Sequence, residues 1–117
     1  MITIYTYKQC GTCQKALKYL KENNIDVTEK PIRETPPTRD ELNAMLSAYE
    51  GNIKALFNIS GRDYRAMNLK ETLPSMSEDD ALTLLTESRN LVKRPFLIGP
   101  KTHLVGFKVE EWDACLS

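Results

Sequence analysis

The chain is poor in the features that would commit it to a special environment. Three cysteines among 117 residues are too few, and odd in number, for the disulfide framework of a small secreted protein. Neither charge sign is in excess: 16 lysines and arginines face 16 aspartates and glutamates. No basic field therefore recommends nucleic acid as a direct partner. No apolar run approaches the roughly 18 residues that a membrane span needs. The opening Met1-Ile2-Thr3-Ile4-Tyr5 has neither a basic leader nor a small-residue cleavage site, so no signal peptide is expected. A structural zinc site needs four ligands. Beyond one close cysteine pair only Cys115 and His103 remain, and they form no second pair, so no metal is expected. What is left is one globular domain of ordinary composition, 41% hydrophobic and 27% charged, expected in a reducing cytoplasm.

The close pair is the most informative feature. Cys10-Gly11-Thr12-Cys13 follows a short β-branched and aromatic run, Ile2 to Thr6, which reads as a strand. Behind it, Cys13, Ala16, Leu17 and Leu20 fall at the spacing of one helix face, and Asn23-Asn24 ends the helix. Asp26 to Ile32 is a second candidate strand, with Pro31 required at an edge or an end. A strand–helix–strand crossover implies parallel pairing.

The stretch from Arg33 to Lys93 is mostly helical, with no convincing strand. Thr38-Arg39-Asp40-Glu41 reads as a capping box ahead of Leu42, Met45, Leu46 and Tyr49, and Gly51 closes that helix. Ile53 to Ile59 reads as a short helical patch and Arg62 to Leu69 as one short helix. Ser77 and the acids after it begin a helix that turns Ala81, Leu82, Leu85 and Ser88 inward. The β pattern returns at Arg94 to Ile98. A turn at Gly99-Pro100-Lys101-Thr102 leads to a hairpin partner from His103 to Phe107. Val109, Trp112, Cys115 and Leu116 share one face of a last helix, which predicts a core tryptophan and a buried thiol at Cys115. The expected architecture is α/β, βαβ then ββα around a four-stranded mixed sheet, with residues 33–93 as a helical insert in a single domain.

The chemistry follows from place. At a strand-to-helix junction the first cysteine of C-x-x-C lies at the helix N-cap with its sulfur exposed. The free amide groups of the first turn favour a thiolate there. The second thiol lies one turn on, within disulfide reach. Cys10 would attack, and Cys13 would resolve the mixed disulfide. Gly11 would let the backbone turn tightly and give a substrate access. Thr12 would offer a hydroxyl and an N–H to an anion. Against this stand a chance pair of inert thiols and half of a zinc site. The strand–helix context favours redox chemistry.

Three stretches then carry a resemblance: Cys10-Gly11-Thr12, Glu34 to Leu42, and Leu91 to Leu97 around Arg94-Pro95. Their order and spacing resemble the glutaredoxin-coupled arsenate reductase family and the related Spx-type redox regulators of RNA polymerase. The resemblance implies a thioredoxin-like fold. It implies Cys10 as catalytic cysteine, Arg94 as an oxyanion-binding arginine and Pro95 as a cis proline beside it. It also implies an external reductant, glutathione or glutaredoxin, no bound cofactor, and a small oxidised substrate. Under the regulatory alternative the partner would be RNA polymerase. Two departures stand out. The family's enzymes set three arginines around the cysteine, whereas this chain has Asn58 and Gly106 where two of them would fall. Lys8, Arg62 and Arg65 are the cations left to compensate. Many of those enzymes also have serine where this chain has Cys13.

Overall fold

The computed structural model describes residues 2–116. They form two compact units, residues 2–36 with 94–116, and residues 37–93.

In the first unit, β1 (Ile2–Thr6) leads through a short loop to α1 (Gly11–Glu22) and then β2 (Val27–Pro31). After the second unit come β3 (Phe96–Gly99), β4 (Thr102–Val105) and α6 (Val109–Leu116). The strand order is β2-β1-β3-β4; β2 runs parallel to β1, and the other neighbours are antiparallel. The mixed α/β sheet is the expected one. Pro31 ends the edge strand β2, where its missing N–H costs no ladder bond. The hairpin is tighter than expected. Gly99 pairs with Thr102, so only Pro100 and Lys101 make the turn.

Strand alternation sorts the side chains into two rows. Ile4, Leu97 and Leu104 are cross-strand neighbours and pack with Ala16, Leu20 and Trp112 in one core. Tyr5, Phe96 and Val105 form the adjacent row and are also buried. Around Trp112, Tyr19 and Phe107 meet edge to face, with Phe107 and Trp112 centroids 4.9 Å apart. The indole Nε1–H donates to the Gly106 carbonyl at 3.1 Å.

α1 ends where expected. Asn24 takes a left-handed conformation (φ 56°), and the Ile25 N–H reaches back to the Leu20 carbonyl at 2.9 Å. The expectation for Cys115 fails. It is exposed, as is Val109, while Trp112 between them is fully buried. Cys115 shares the helical spacing but lies in the last turn of a short helix, where Leu116 is only partly buried and Cys115 is left uncovered.

The second unit contains α2 (Arg39–Ala48), α3 (Arg62–Ala66), α4 (Leu69–Thr72) and α5 (Glu78–Glu87), with single 3-10 turns at Ile53–Leu56 between α2 and α3, at Leu73–Ser75 between α4 and α5, and at Arg89–Leu91 after α5. The capping box is present in full: Glu41 N–H donates to Thr38 Oγ1, and Thr38 N–H to Glu41 Oε1. Gly51 (φ 80°) closes α2 by donating to the Leu46 carbonyl. Arg39 on α2 pairs with Asp79 and bonds Thr83 Oγ1, both on α5. Three expectations change here. Arg62 to Leu69 is two helices, because Asn68 adopts φ 54° and breaks the run. The patch after Ile53 is helical only to Leu56, and Phe57 forms an isolated antiparallel bridge with Val92. Ala81, Leu82 and Leu85 are buried, but Ser88 caps the end of α5 and is half-buried. Among the described residues, no helix is long and apolar enough to cross a membrane.

Candidate active site

β1 ends at Thr6, and the chain must reverse before α1 can pack on the sheet. Tyr7 to Cys10 makes that turn, with the Cys10 N–H donating to the Tyr7 carbonyl at 3.0 Å. Cys10 is therefore the N-cap of α1, in extended conformation (φ -91°, ψ 111°). Its sulfur occupies the place a serine or aspartate oxygen takes in an ordinary cap. Sγ accepts the Cys13 amide N–H at 3.3 Å. The helix N-terminus thus directs a donor and a positive dipole end at a half-exposed sulfur.

Cys13, one turn on, is 0% exposed. Burial pushes its thiol from 9.0 up to about 12, and a hydrogen bond with the Cys10 side chain and the Cys10 charge add to the rise. A backbone hydrogen bond with Tyr7 and the Arg94 charge pull the other way. All three cysteines are free thiols. One accessible sulfur at a helix end and one buried neutral thiol behind it form an asymmetric pair.

Arg94 and Pro95 come to the same place from the other end of the unit. Their peptide bond is cis. Pro95 is buried, and its carbonyl accepts the Gly106 N–H at 2.9 Å. Arg94 is half-buried, with its guanidinium carbon 5.1 Å from the Tyr7 ring centroid. Gly11 and Thr12 are both exposed in the first turn. Gly11 is not needed for the turn: its φ is not positive, and a Cβ there would meet no atom within 4 Å. What it leaves is open space at the start of α1.

The expected arginine positions hold other chemistry. Asn58 is half-buried, donates its N–H to the Leu91 carbonyl at 2.7 Å and accepts from Gly61 at 3.0 Å. Gly106 is buried at φ 69°. Lys8 is exposed in the cysteine loop; Arg62 and Arg65 are exposed on α3, in the second unit. His103 sits in β4, paired with Ile98.

Two residues of this site are not evident from sequence. Arg33 places its guanidinium carbon 4.1 Å from the centroid of the same Tyr7 ring that Arg94 overlies. Tyr7 is thus bonded through its backbone to the cysteine loop and faces two arginines with its ring. Only the aromatic before the motif could have hinted at this.

Known proteins resemble this chain along nearly its whole length. The chain is 42% identical over 112 residues to the uncharacterized protein YusI of Bacillus subtilis, covering 96% of this chain and 95% of that one. It is 30% identical over 111 residues to the global transcriptional regulator Spx 2 of Bacillus anthracis, covering 95% and 83%. A solved structure of an ArsC family related protein from Bacteroides fragilis superposes with a TM-score of 0.91 at 40% identity, over 97% of this chain and 96% of that one. Residues 5–115 match the ArsC family, so this chain is a member of it, an arsenate reductase family protein of thioredoxin-like fold.

Proposed function

We propose that this chain is a thiol–disulfide oxidoreductase. One observation carries the reading: a half-exposed Cys10 sulfur accepts the N–H of Cys13, whose own thiol is fully buried one turn behind. Cys10 attacks one sulfur of an oxidised substrate as thiolate, forming a mixed disulfide and expelling the other sulfur as a thiolate. Cys13 then gives up its proton and attacks Cys10 Sγ. The Cys10–Cys13 disulfide forms, the second substrate thiol leaves, and the substrate has gained two electrons. A dithiol glutaredoxin, or two molecules of glutathione, returns those electrons to the protein.

The same two thiols would reduce arsenate by a sulfur–arsenic adduct. Cys10 displaces water from arsenic(V), and a second thiol attacks Cys10 Sγ to release arsenite and leave a disulfide. Arg94, Gly11 and Thr12 would hold the anion beside Pro95. Asn58 and Gly106 make arsenate the weaker candidate substrate, because a tetrahedral oxyanion needs several fixed donors.

A second reading keeps the chemistry and changes its use. The identity to the regulator Spx 2, together with this chain's own C-x-x-C, favours a redox sensor. Its Cys10–Cys13 disulfide would alter affinity for RNA polymerase. Purified protein separates the two. Reduction of a disulfide or of arsenate at the expense of glutathione and glutaredoxin, abolished in Cys10→Ser, supports the enzyme. Absence of turnover together with oxidation-dependent capture of RNA polymerase overturns it in favour of the sensor.

A further inference from the structure

We infer that the second unit carries a binding pocket for a small organic carboxylate built on a single apolar ring. Lys54 and Lys70 supply the charge for it, and the Tyr64 hydroxyl supplies a hydrogen bond. The pocket lies wholly within residues 37–93 and shares no residue with the cysteine site.

The feature that points to a ligand is an unsatisfied phenol. Tyr64 on α3 is 4% exposed, and its ring meets Phe57 edge to face with centroids 6.2 Å apart. Among the described residues its hydroxyl has no hydrogen-bond partner. The hydroxyl is not sealed in protein either, because the buried side-chain polar atom left without a partner is Arg39 Nε. A tyrosine covered along its ring and open at its oxygen presents that oxygen to the cavity it lines. A hydroxyl so nearly buried needs a partner, and the chain supplies none; a bound acceptor would.

The other walls set size and charge. The cavity measures about 210 Å³. Pockets for drug-sized molecules run to roughly 300–1,000 Å³, so this one takes a body of about one ring. Leu73 is buried and Pro74 has no N–H, so their side of the cavity offers apolar contact. Lys54 and Lys70 are exposed, and neither forms an ion pair among the described residues. Glu78 approaches without lining the cavity: its Oε2 stands 3.6 Å from where a Cβ on Gly51, a lining residue, would be. Two unpaired ammonium groups and a phenol donor beside an apolar wall are complementary to a carboxylate on an apolar body.

The test is an NMR titration of the full chain with three probes. Benzoate has both parts, benzamide keeps the ring without the charge, and acetate keeps the carboxylate without the ring. Benzoate should shift the amide signals of Lys54, Tyr64 and Lys70 saturably. Benzamide and acetate should each bind about tenfold more weakly. The double variant Lys54→Ala, Lys70→Ala changes exposed side chains and should weaken benzoate about tenfold, to the level of benzamide. Tyr64→Phe keeps the ring contact with Phe57 and should weaken benzoate about threefold through the lost hydrogen bond. Benzoate that shifts no signal at these residues, or that binds no better than benzamide, overturns the pocket. Unchanged affinity in the double lysine variant overturns it equally, and unchanged affinity in Tyr64→Phe overturns the role of the hydroxyl.

Discussion

The carbonyl of Pro95 and the amide of Gly106 are hydrogen-bonded at 2.9 Å, and the Gly106 carbonyl in turn accepts the indole N–H of Trp112 at 3.1 Å. Gly106 thus joins the loop beside the cysteine to the core of its unit, and it does so at φ 69°, where a Cβ is strained. Restoring an arginine here would not rebuild a family-type clamp. Gly106→Arg should cost about 1–3 kcal/mol of stability from backbone strain alone. Trp112→Phe should cost a similar amount, about 1–3 kcal/mol, by leaving a buried carbonyl unpaired, with cavity loss added. Urea unfolding of the three proteins measures both.

Under the proposed thiol–disulfide chemistry, replacing Cys10 or Cys13 should separate the two half-reactions. Cys10→Ser should form no adduct with a disulfide substrate. Cys13→Ser should accumulate a mixed disulfide at Cys10, visible as a stable mass increase in the intact protein. If Cys13→Ser turns over without accumulation, Cys13 is not the resolving thiol.

The buried Cys13 makes stability depend on alkaline pH. Unfolded, this thiol titrates near 9.0; folded, it is held up to about 12 by burial first and by Cys10 second. Between those values the unfolded chain has lost a proton that the folded chain keeps. Stability contributed by this group is therefore full below about pH 9 and falls as pH rises toward about 12, by at most roughly 1.4 kcal/mol per pH unit. Tyr19, raised from 10.0 to about 12 by its hydrogen bond to Asp113, adds to the slope only above pH 10. Between pH 9 and 10, then, Cys13→Ser should flatten the dependence seen in wild type by denaturant titration.

Alkylation of the native protein should distinguish its three thiols. Cys10 and Cys115 should label under native conditions, Cys115 because it is exposed, whereas Cys13 should label only after unfolding. Peptide mapping after a brief pulse of iodoacetamide reads this directly. Fast labelling at Cys13 would contradict the buried placement.

Two glycines should respond oppositely to alanine. At Gly61 a Cβ would stand 2.8 Å from Asn58 Nδ2 and 3.1 Å from the Asn58 carbonyl oxygen, so Gly61→Ala should destabilise by about 1–3 kcal/mol. At Gly11 a Cβ meets nothing, so Gly11→Ala should leave stability within about 0.5 kcal/mol. Any loss of activity in Gly11→Ala would then report substrate access and not folding.

Local signals in the sequence were the readable ones. The Cys10 cap, the Thr38–Glu41 box and the Asn23-Asn24 stop each lie within a few residues of what they satisfy, and periodicity finds the helices between them. Non-local pairings escape such reading. Phe57 leaves its helical pattern because Val92 offers a bridge, and nothing near Phe57 announces that partner. Asn68 splits a run of good helix formers by taking a left-handed conformation that asparagine tolerates but does not advertise. Cys115 has the right spacing for burial, yet spacing cannot say how far along a short helix the cover extends. Arg33 and Tyr7 are far apart in sequence, so their stacking had no periodic signature at all.

The central place of β1 has a consequence for the order in which the protein can be finished. Its two neighbours in the sheet are β2, made soon after it, and β3, made only after the whole of residues 37–93. During synthesis Cys10 emerges long before Arg94, Pro95 and Gly106 have left the ribosome. Until then β1 carries an unpaired edge, and the thiol lacks the cation and the proline carbonyl linkage that later frame it. The sulfur proposed as nucleophile is thus the first part of the site to be made, and its arginine and proline are among the last.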